Sequence, residues 1–132
     1  MIHRYGIDTS VLMRLVTGEP ARDFEYCVNR LRVLIEEEDS EIFASNQVVG
    51  EAYVSVQHHY GVSKTAARAS LLDVLHSGLV SPLNGRSVIE ALETPGGAGL
   101  LDRLIADDYA RGGMEVLTLD RKMAVLADVR RL

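Results

Sequence analysis

Short apolar runs alternate with longer amphipathic stretches along this chain, and the alternation predicts its secondary structure. Brief apolar runs predict strands near residues 2–7, 41–44, 79–80 and 114–118. Apolar residues that recur every three or four positions predict helices over residues 11–16, 23–38, 48–60, 64–76, 86–93 and 100–111. A last helix is expected to begin at Asp120 and to end near residue 127.

Local signals refine these boundaries. Thr9 and Ser10 offer side-chain oxygens that can cap the first helix, which Gly18 should end. The segment 48–60 is rich in Val and Tyr, which favours a strand. Its length of about 13 residues and a cap at Ser45 or Asn46 favour a helix, and we predict a helix there.

The order of the predicted elements indicates the fold class. Alternating strands and helices of this length are typical of a parallel sheet with helices on both faces. We therefore expect one α/β domain over residues 1–132, a three-layer α/β/α arrangement around a central parallel sheet. Ligands bind such sheets outside the carboxyl ends of the strands. Asp8 and Asp120 each follow a predicted strand, so both should lie at the same edge of the sheet.

Composition limits the class of protein. The chain has 132 residues, 47% of them hydrophobic, which suits one globular domain. Its apolar runs fall short of the ~20 residues that a membrane-spanning helix needs. The first ten residues show no apolar signal region and Cys27 stands alone, so we expect a cytoplasmic protein. The net charge of −5 argues against a general nucleic-acid coat.

Four acidic residues stand inside or at the end of apolar stretches: Asp8, Glu51, Asp102 and Asp120. Burying a charge costs several kcal/mol unless it is paired or bound to a cation. Each acid alone has a simpler explanation, as a helix cap, a turn residue or a group at a helix margin. Together, the four would make a site for a hard divalent cation and for phosphate-ester chemistry.

The sequence around these acids resembles the PIN-domain nucleases, and most closely the ribonuclease toxins of VapBC-type toxin–antitoxin pairs. The resemblance rests on YGIDTSVLMRL, VVGEAYVSV and LLDRLIADDYARGGMEVLTLD, and it covers nearly the whole chain. It implies a Mg²⁺- or Mn²⁺-dependent endoribonuclease, usually a homodimer, that is silenced by a cognate antitoxin. The implied acidic pocket comprises Asp8, Glu51, Asp102 and Asp120, supported by the hydroxyl groups of Ser10 and Thr118.

Within that pocket, we expect Asp8 and Asp102 to contact the metal directly, and Glu51 and Asp120 to act through water. A metal-activated water would then hydrolyse the RNA phosphodiester bond. A local basic rim of Arg14, Arg121 and Lys122 would help to bind the RNA despite the acidic net charge, although ordinary solvated surface explains these residues equally well.

The chain departs from the family pattern after residue 106. Asp107 and Asp108 stand where the family has small residues. Asp108 projects towards the apolar side of its helix, where it either adds to the metal site or faces a dimer partner.

Other functions fit less well. A housekeeping PIN nuclease in RNA processing would differ only in having no antitoxin partner. A non-catalytic metal-binding module, such as a phosphoacceptor signalling domain, needs an acidic pair on the first strand and a Lys after the last. A haloacid-type phosphatase needs Asp-x-Asp, where this chain has Asp8, Thr9 and Ser10.

Overall fold

Three short parallel strands form the main sheet, in the order β1–β2–β3. The computed structural model describes residues 2–132. β1 (Arg4–Gly6) pairs with β2 (Glu41–Ala44), which pairs with β3 (Ser81–Pro82). A separate two-stranded parallel sheet holds β4 (Val116–Thr118) and β5 (Val129–Arg131).

Six α-helices occur within residues 2–132, one for each helix expected before residue 112. They are α1 (Thr9–Thr17), α2 (Ala21–Glu36), α3 (Asn46–Tyr60), α4 (Lys64–Leu75), α5 (Arg86–Glu93) and α6 (Leu100–Arg111). The ambiguous segment 48–60 is therefore helical. The α/β class with parallel strands is confirmed.

Side-chain caps explain where several helices begin. Ser45 Oγ accepts a hydrogen bond from the backbone N–H of Val48 and so caps α3. For α1 the expected capping residues, Thr9 and Ser10, are wrong: Asp8 caps this helix, because its carboxylate accepts from the first free N–H groups. α1 ends at Gly18, whose φ of 68° is a backbone conformation that glycine adopts without strain.

The hydrophobic core lies between the helices and the three-stranded sheet. Its largest fully buried side chains come from five of the helices and from the segment before β3: Leu12, Val49, Leu71, Val80, Val88, Leu92 and Leu100. Burying a side chain of this kind stabilises the fold by about 1.5–3 kcal/mol. A second, small cluster of Val116, Met123 and Val129 packs beneath the two-stranded sheet.

The end of the chain differs from the prediction. The expected helix from Asp120 to residue 127 is a single 3₁₀ turn, Met123–Val125, and β5 follows it. Only residues 119–128 connect the parallel strands β4 and β5, which is short for a crossover that contains a helix. The third strand is also shifted, to Ser81–Pro82 from the expected 79–80, since these residues pair with Phe43 and Ala44.

None of the helices within residues 2–132 has the length and apolar character that crossing a membrane requires.

Candidate active site

Asp8 lies between β1 and α1, where the chain leaves the sheet. Its Oδ1 atom accepts hydrogen bonds from the backbone N–H of Ser10 (3.0 Å) and of Val11 (3.3 Å), and from the Ser10 hydroxyl. The Ser10 side chain, followed by the Val11 N–H, lowers the pKa of Asp8 below its ordinary value. The carboxylate is therefore ionised at neutral pH, and its Oδ2 atom takes part in none of these bonds. The Ser10 hydroxyl therefore holds the Asp8 carboxylate, and its supporting role in a catalytic pocket stays a prediction.

Glu51 lies close to this turn although it comes from a different helix. Thr9 Oγ1 donates to Glu51 Oε1 over 3.3 Å and so joins the start of α1 to the second turn of α3. The apolar side of α3, including Val49 and Ala52, is buried, while Glu51 itself is exposed. The structure thus brings the two acids Asp8 and Glu51 onto neighbouring elements with one hydroxyl between them.

Gly50, next to Glu51, lets α6 approach α3 closely. A Cβ atom at this position would lie 2.9 Å from Leu101 Cδ2, closer than real Cβ contacts. The two helices border an open groove of about 490 Å³ that Glu51, Val54, Leu101 and other residues line. The side chain of Glu51 therefore faces a space that a ligand can enter.

Asp102 lies in the first turn of α6 and is half-buried. It lines an adjoining groove of about 360 Å³, together with Tyr53, His58 and Lys64. The two grooves share Val54 and Leu101 as lining residues, so the groove of Asp102 adjoins the groove of Glu51. Asp102 therefore lines a groove beside that of Glu51, and its role as a metal ligand stays a prediction.

Within residues 2–132, Asp120 makes no hydrogen bond to the elements that carry Asp8, Glu51 and Asp102. It is exposed after β4, in the two-stranded sheet, whereas Asp8 follows β1 in the three-stranded sheet. The expectation that both acids lie at one edge of a common sheet is therefore wrong, because β4 pairs with β5. Asp120 Oδ1 accepts from the Met123 N–H (2.8 Å) and caps the 3₁₀ turn.

Thr118 was expected to orient a carboxylate. Its Oγ1 instead accepts a hydrogen bond from the backbone N–H of Asp120 (3.0 Å). It fixes the turn that carries Asp120, and the carboxylate of Asp120 is held by the turn that follows.

Taken together, the predicted acids are only partly assembled. Asp8 and Glu51 are neighbours, Asp102 lines the next groove, and Asp120 lies on the other sheet. Across residues 2–132, no three Asp, Glu, His or Cys side chains gather closely enough to hold a metal ion. The roles of the four acids in metal binding and catalysis stay predictions.

The predicted basic rim is divided in the same way. Arg14 donates to the Glu19 carbonyl oxygen (3.2 Å) and forms an ion pair with Asp23 (3.8 Å), and so ties α1 to α2. Arg121 and Lys122 are exposed in the turn after Asp120. The RNA-binding role of all three residues stays a prediction.

Two features of the site escaped sequence reasoning. Thr9 was expected to be a cap, yet its hydroxyl donates to Glu51 and so links the turn after Asp8 to α3. Asn46, at the start of α3, and Asn84, in the turn before α5, hold Asp107 and Asp108 across 23 to 62 positions, a pairing that no local pattern indicates. The unusual Asp107-Asp108 pair was the only signal of it in the sequence.

Comparison with known proteins identifies the family. Residues 5–129 match the PIN domain, which is most of the chain. The protein belongs to the PIN-domain family, whose members are generally metal-dependent nucleases. Neither the curated proteins nor the solved structures include a significant match to the chain.

Proposed function

We propose that this protein is a divalent-metal-dependent endoribonuclease and the toxin of a toxin–antitoxin pair. One observation supports the nuclease proposal most strongly: Thr9, next to Asp8, donates a hydrogen bond to Glu51 and so brings the two acids onto neighbouring elements. The chain that carries this pair matches the PIN domain. Two ionised carboxylates on adjacent elements repel each other unless a cation lies near them.

The donor atoms suit Mg²⁺ or Mn²⁺. Asp8 keeps its charge at neutral pH, and its Oδ2 atom is not used by the cap of α1. Glu51 faces an open groove. Carboxylate oxygens are the ligands that these hard cations prefer. In this proposal Asp8 and Asp102 hold the ion, and Glu51 and Asp120 hold its water ligands.

A bound ion of this kind would supply Lewis-acid activation of water and offset charge on the phosphate. The chain's own residues orient the acids for that task. Ser10 fixes Asp8 by donating to one of its oxygens, and Thr9 restrains Glu51. Arg121 and Lys122, beside Asp120, are the proposed contacts for the RNA backbone.

The experiment for the nuclease proposal compares purified wild type with Asp8→Asn in an RNA cleavage assay with Mg²⁺ or Mn²⁺. Asp73→Asn, an equal change of charge at an exposed position of α4, is the matched control. We expect cleavage by wild type and by Asp73→Asn, and its loss in Asp8→Asn or on chelation of the metal. Equal cleavage by both variants would refute the proposal.

The toxin role and the partners are proposed from the resemblance to the VapBC toxins. Exposed apolar side chains on one side of α6, Leu101, Ile105 and Tyr109, support a homodimer or a bound antitoxin, because such side chains commonly mark an interface. Expression of wild type against Asp8→Asn tests the role: wild type alone should arrest growth and fragment RNA. Normal growth with abundant active enzyme would favour a housekeeping nuclease instead.

A further inference from the structure

The groove that Asp102 lines continues the groove of Glu51 along one side of α3. Val54 and Leu101 line both grooves, and the shared side of α3 runs from Glu51 through Val54 to His58, at helical spacing. A helix rises about 1.5 Å per residue, so this side is roughly 10 Å long, more than the ~3.4 Å between phosphates of one stacked strand. The second groove, of about 360 Å³, has the size of a site for one small molecule, which suits a single strand and not a duplex.

Lys64 places a positive charge in this second groove. It is the first residue of α4, and its exposed side chain lines the groove opposite Asp102 and the start of α6. Among residues 2–132, neither Lys64 nor Asp102 forms an ion pair, although both line the same groove. The lysine ammonium has three N–H donors and no acceptor, so it remains available to an anion.

The backbone on both sides of this groove is held by hydrogen bonds. Ser63, next to Lys64, caps α4 by accepting from the backbone N–H of Ala66 (3.1 Å). On the other side, Arg103 donates to two carbonyl oxygens of the loop before α6 (3.0 and 2.7 Å). Both sides are therefore ordered before a ligand binds, which reduces the entropy cost of binding.

The basic residues expected from the sequence have other surroundings. Arg14 is tied to α2, and Arg121 and Lys122 follow β4 in the two-stranded sheet. Lys64, by contrast, shares a groove with Asp102. The net charge of −5 repels RNA as a whole, so a cation beside the candidate acids is the local feature that attracts a phosphate to them.

We propose that Lys64 is a substrate-binding residue, whose ammonium holds a phosphate of an RNA strand that lies along the joined grooves. The inference rests on the proposed nuclease function and extends it, because it places the strand relative to the acids. The strand runs from the groove of Glu51, past Leu101, to Lys64, and the phosphate at Lys64 is a neighbour of the one that is cleaved. Such a contact positions the strand without reading its bases.

Steady-state cleavage of a labelled single-stranded RNA with Mg²⁺ tests the proposal. The proteins are wild type, Lys64→Ala, Lys64→Arg and the control Arg30→Ala, which removes an exposed cation of α2 outside both grooves. Lys64→Ala should raise KM about fivefold, the upper range for one exposed ionic contact, and leave kcat within about twofold. Lys64→Arg keeps the charge and should cleave as wild type does, and so should Arg30→Ala.

Binding without cleavage provides a second readout. Each change is combined with Asp8→Asn, and the affinity for the same RNA is measured by fluorescence anisotropy over a range of KCl concentrations. Lys64→Ala should make the slope of log affinity against log salt less steep by about 0.7, the value for one phosphate of a single strand. Arg30→Ala should leave the slope unchanged.

The outcomes separate the role of Lys64 from the nuclease function. If wild type cleaves RNA, a wild-type KM and salt slope in Lys64→Ala would overturn the role of Lys64 and leave the nuclease proposal standing. A loss of kcat at unchanged KM, or an equal effect of Arg30→Ala, would also overturn it. A changed slope without any cleavage by wild type would support the Lys64 contact and count against the nuclease function. Wild-type protein that neither binds nor cleaves RNA would refute both.

Discussion

At the residue scale, the most informative finding is the double use of Asp8. The sequence predicted Asp8 as a site residue from its position after a strand, and Thr9 and Ser10 as capping residues. In the structure Asp8 itself caps α1: its Oδ1 atom accepts from the backbone N–H groups of Ser10 and Val11, and its Oδ2 atom takes no part in the cap. The local pattern Asp-Thr-Ser could not separate these roles, because all three side chains can cap a helix.

Two substitutions of Asp8 should separate the stability that its helix cap contributes from the effect of its negative charge. Asp8→Asn keeps an oxygen that can accept from Ser10 and Val11, and Asn caps helices as well as Asp does. Its melting temperature should therefore stay within about 2 °C of wild type, whereas Asp8→Ala should lose about 2–6 °C. Thermal unfolding followed by circular dichroism measures both. Equal losses in the two variants would show that the cap does not stabilise α1.

The pH dependence of stability provides a second test at the same residue. Hydrogen bonds lower the pKa of Asp8 in the folded protein, so the ionised form contributes stability above the unfolded pKa of about 4 and loses it as pH falls through the folded value. Asp8→Asn has no such group. The melting temperature of wild type relative to Asp8→Asn should thus be highest between pH 5 and 7 and should fall as the pH drops below the unfolded pKa of about 4. A constant difference from pH 7 to pH 2 would contradict the assignment.

At the scale of elements, the helices were predictable and the strands less so. Each long helix has an apolar face of its own, so its sequence alone reveals it. β3 has two residues and pairs with β2, which is distant in the sequence, and β5 has three residues and was not predicted at all. The approach of Glu51 to Asp8 likewise depends on how α3 packs against α1, which periodicity does not specify.

A buried arginine joins two of these elements. Arg68 of α4 is 6% exposed and donates to the carbonyl oxygens of Ala91 (2.7 Å), Leu92 (3.1 Å) and Thr94 (3.1 Å) at the end of α5. A positive charge at this end also complements the helix dipole of α5. Arg68 therefore fixes α5, whose preceding turn carries Asn84.

Removal of this side chain should be costly. Arg68→Ala leaves three carbonyl groups without their donor and is expected to lower the free energy of unfolding by about 3 kcal/mol. Arg86→Ala is the control, because Arg86 is largely exposed and its ion pair with Glu90 is worth less than about 0.5 kcal/mol. Denaturant unfolding measures both values, and a similar small effect of the two variants would contradict the structural role of Arg68.

At the scale of the whole molecule, the net charge bears on the proposed metal binding. The chain carries a net charge of −5, so its acids repel one another and repel RNA. A divalent cation relieves part of that repulsion. The order of the predicted elements indicated the α/β class. It did not indicate two sheets, because β4 pairs with β5 and no pattern in the sequence indicated β5.

Metal should therefore stabilise the folded protein. At a Mg²⁺ concentration of 100 times its Kd, a ligand that binds only the native state adds about 2.7 kcal/mol to the free energy of unfolding. The melting temperature of wild type should rise by several degrees, and Asp8→Asn should lose most of that rise. Asp73→Asn should retain it, because Asp73 is exposed on α4 and belongs to no proposed metal site. A rise of the same size in Asp8→Asn would contradict the assignment of the ion to Asp8.

The central claim is that Asp8 and Glu51 act as one metal-dependent centre for RNA cleavage. Its most direct test is the rate of RNA cleavage, at saturating Mg²⁺, by wild type, Asp8→Asn, Glu51→Gln and the double variant. Residues that act as a unit give losses that do not multiply, so the double variant should be no slower than the slower single variant. Cleavage at the wild-type rate by either single variant, or losses that multiply in the double variant, would contradict the claim.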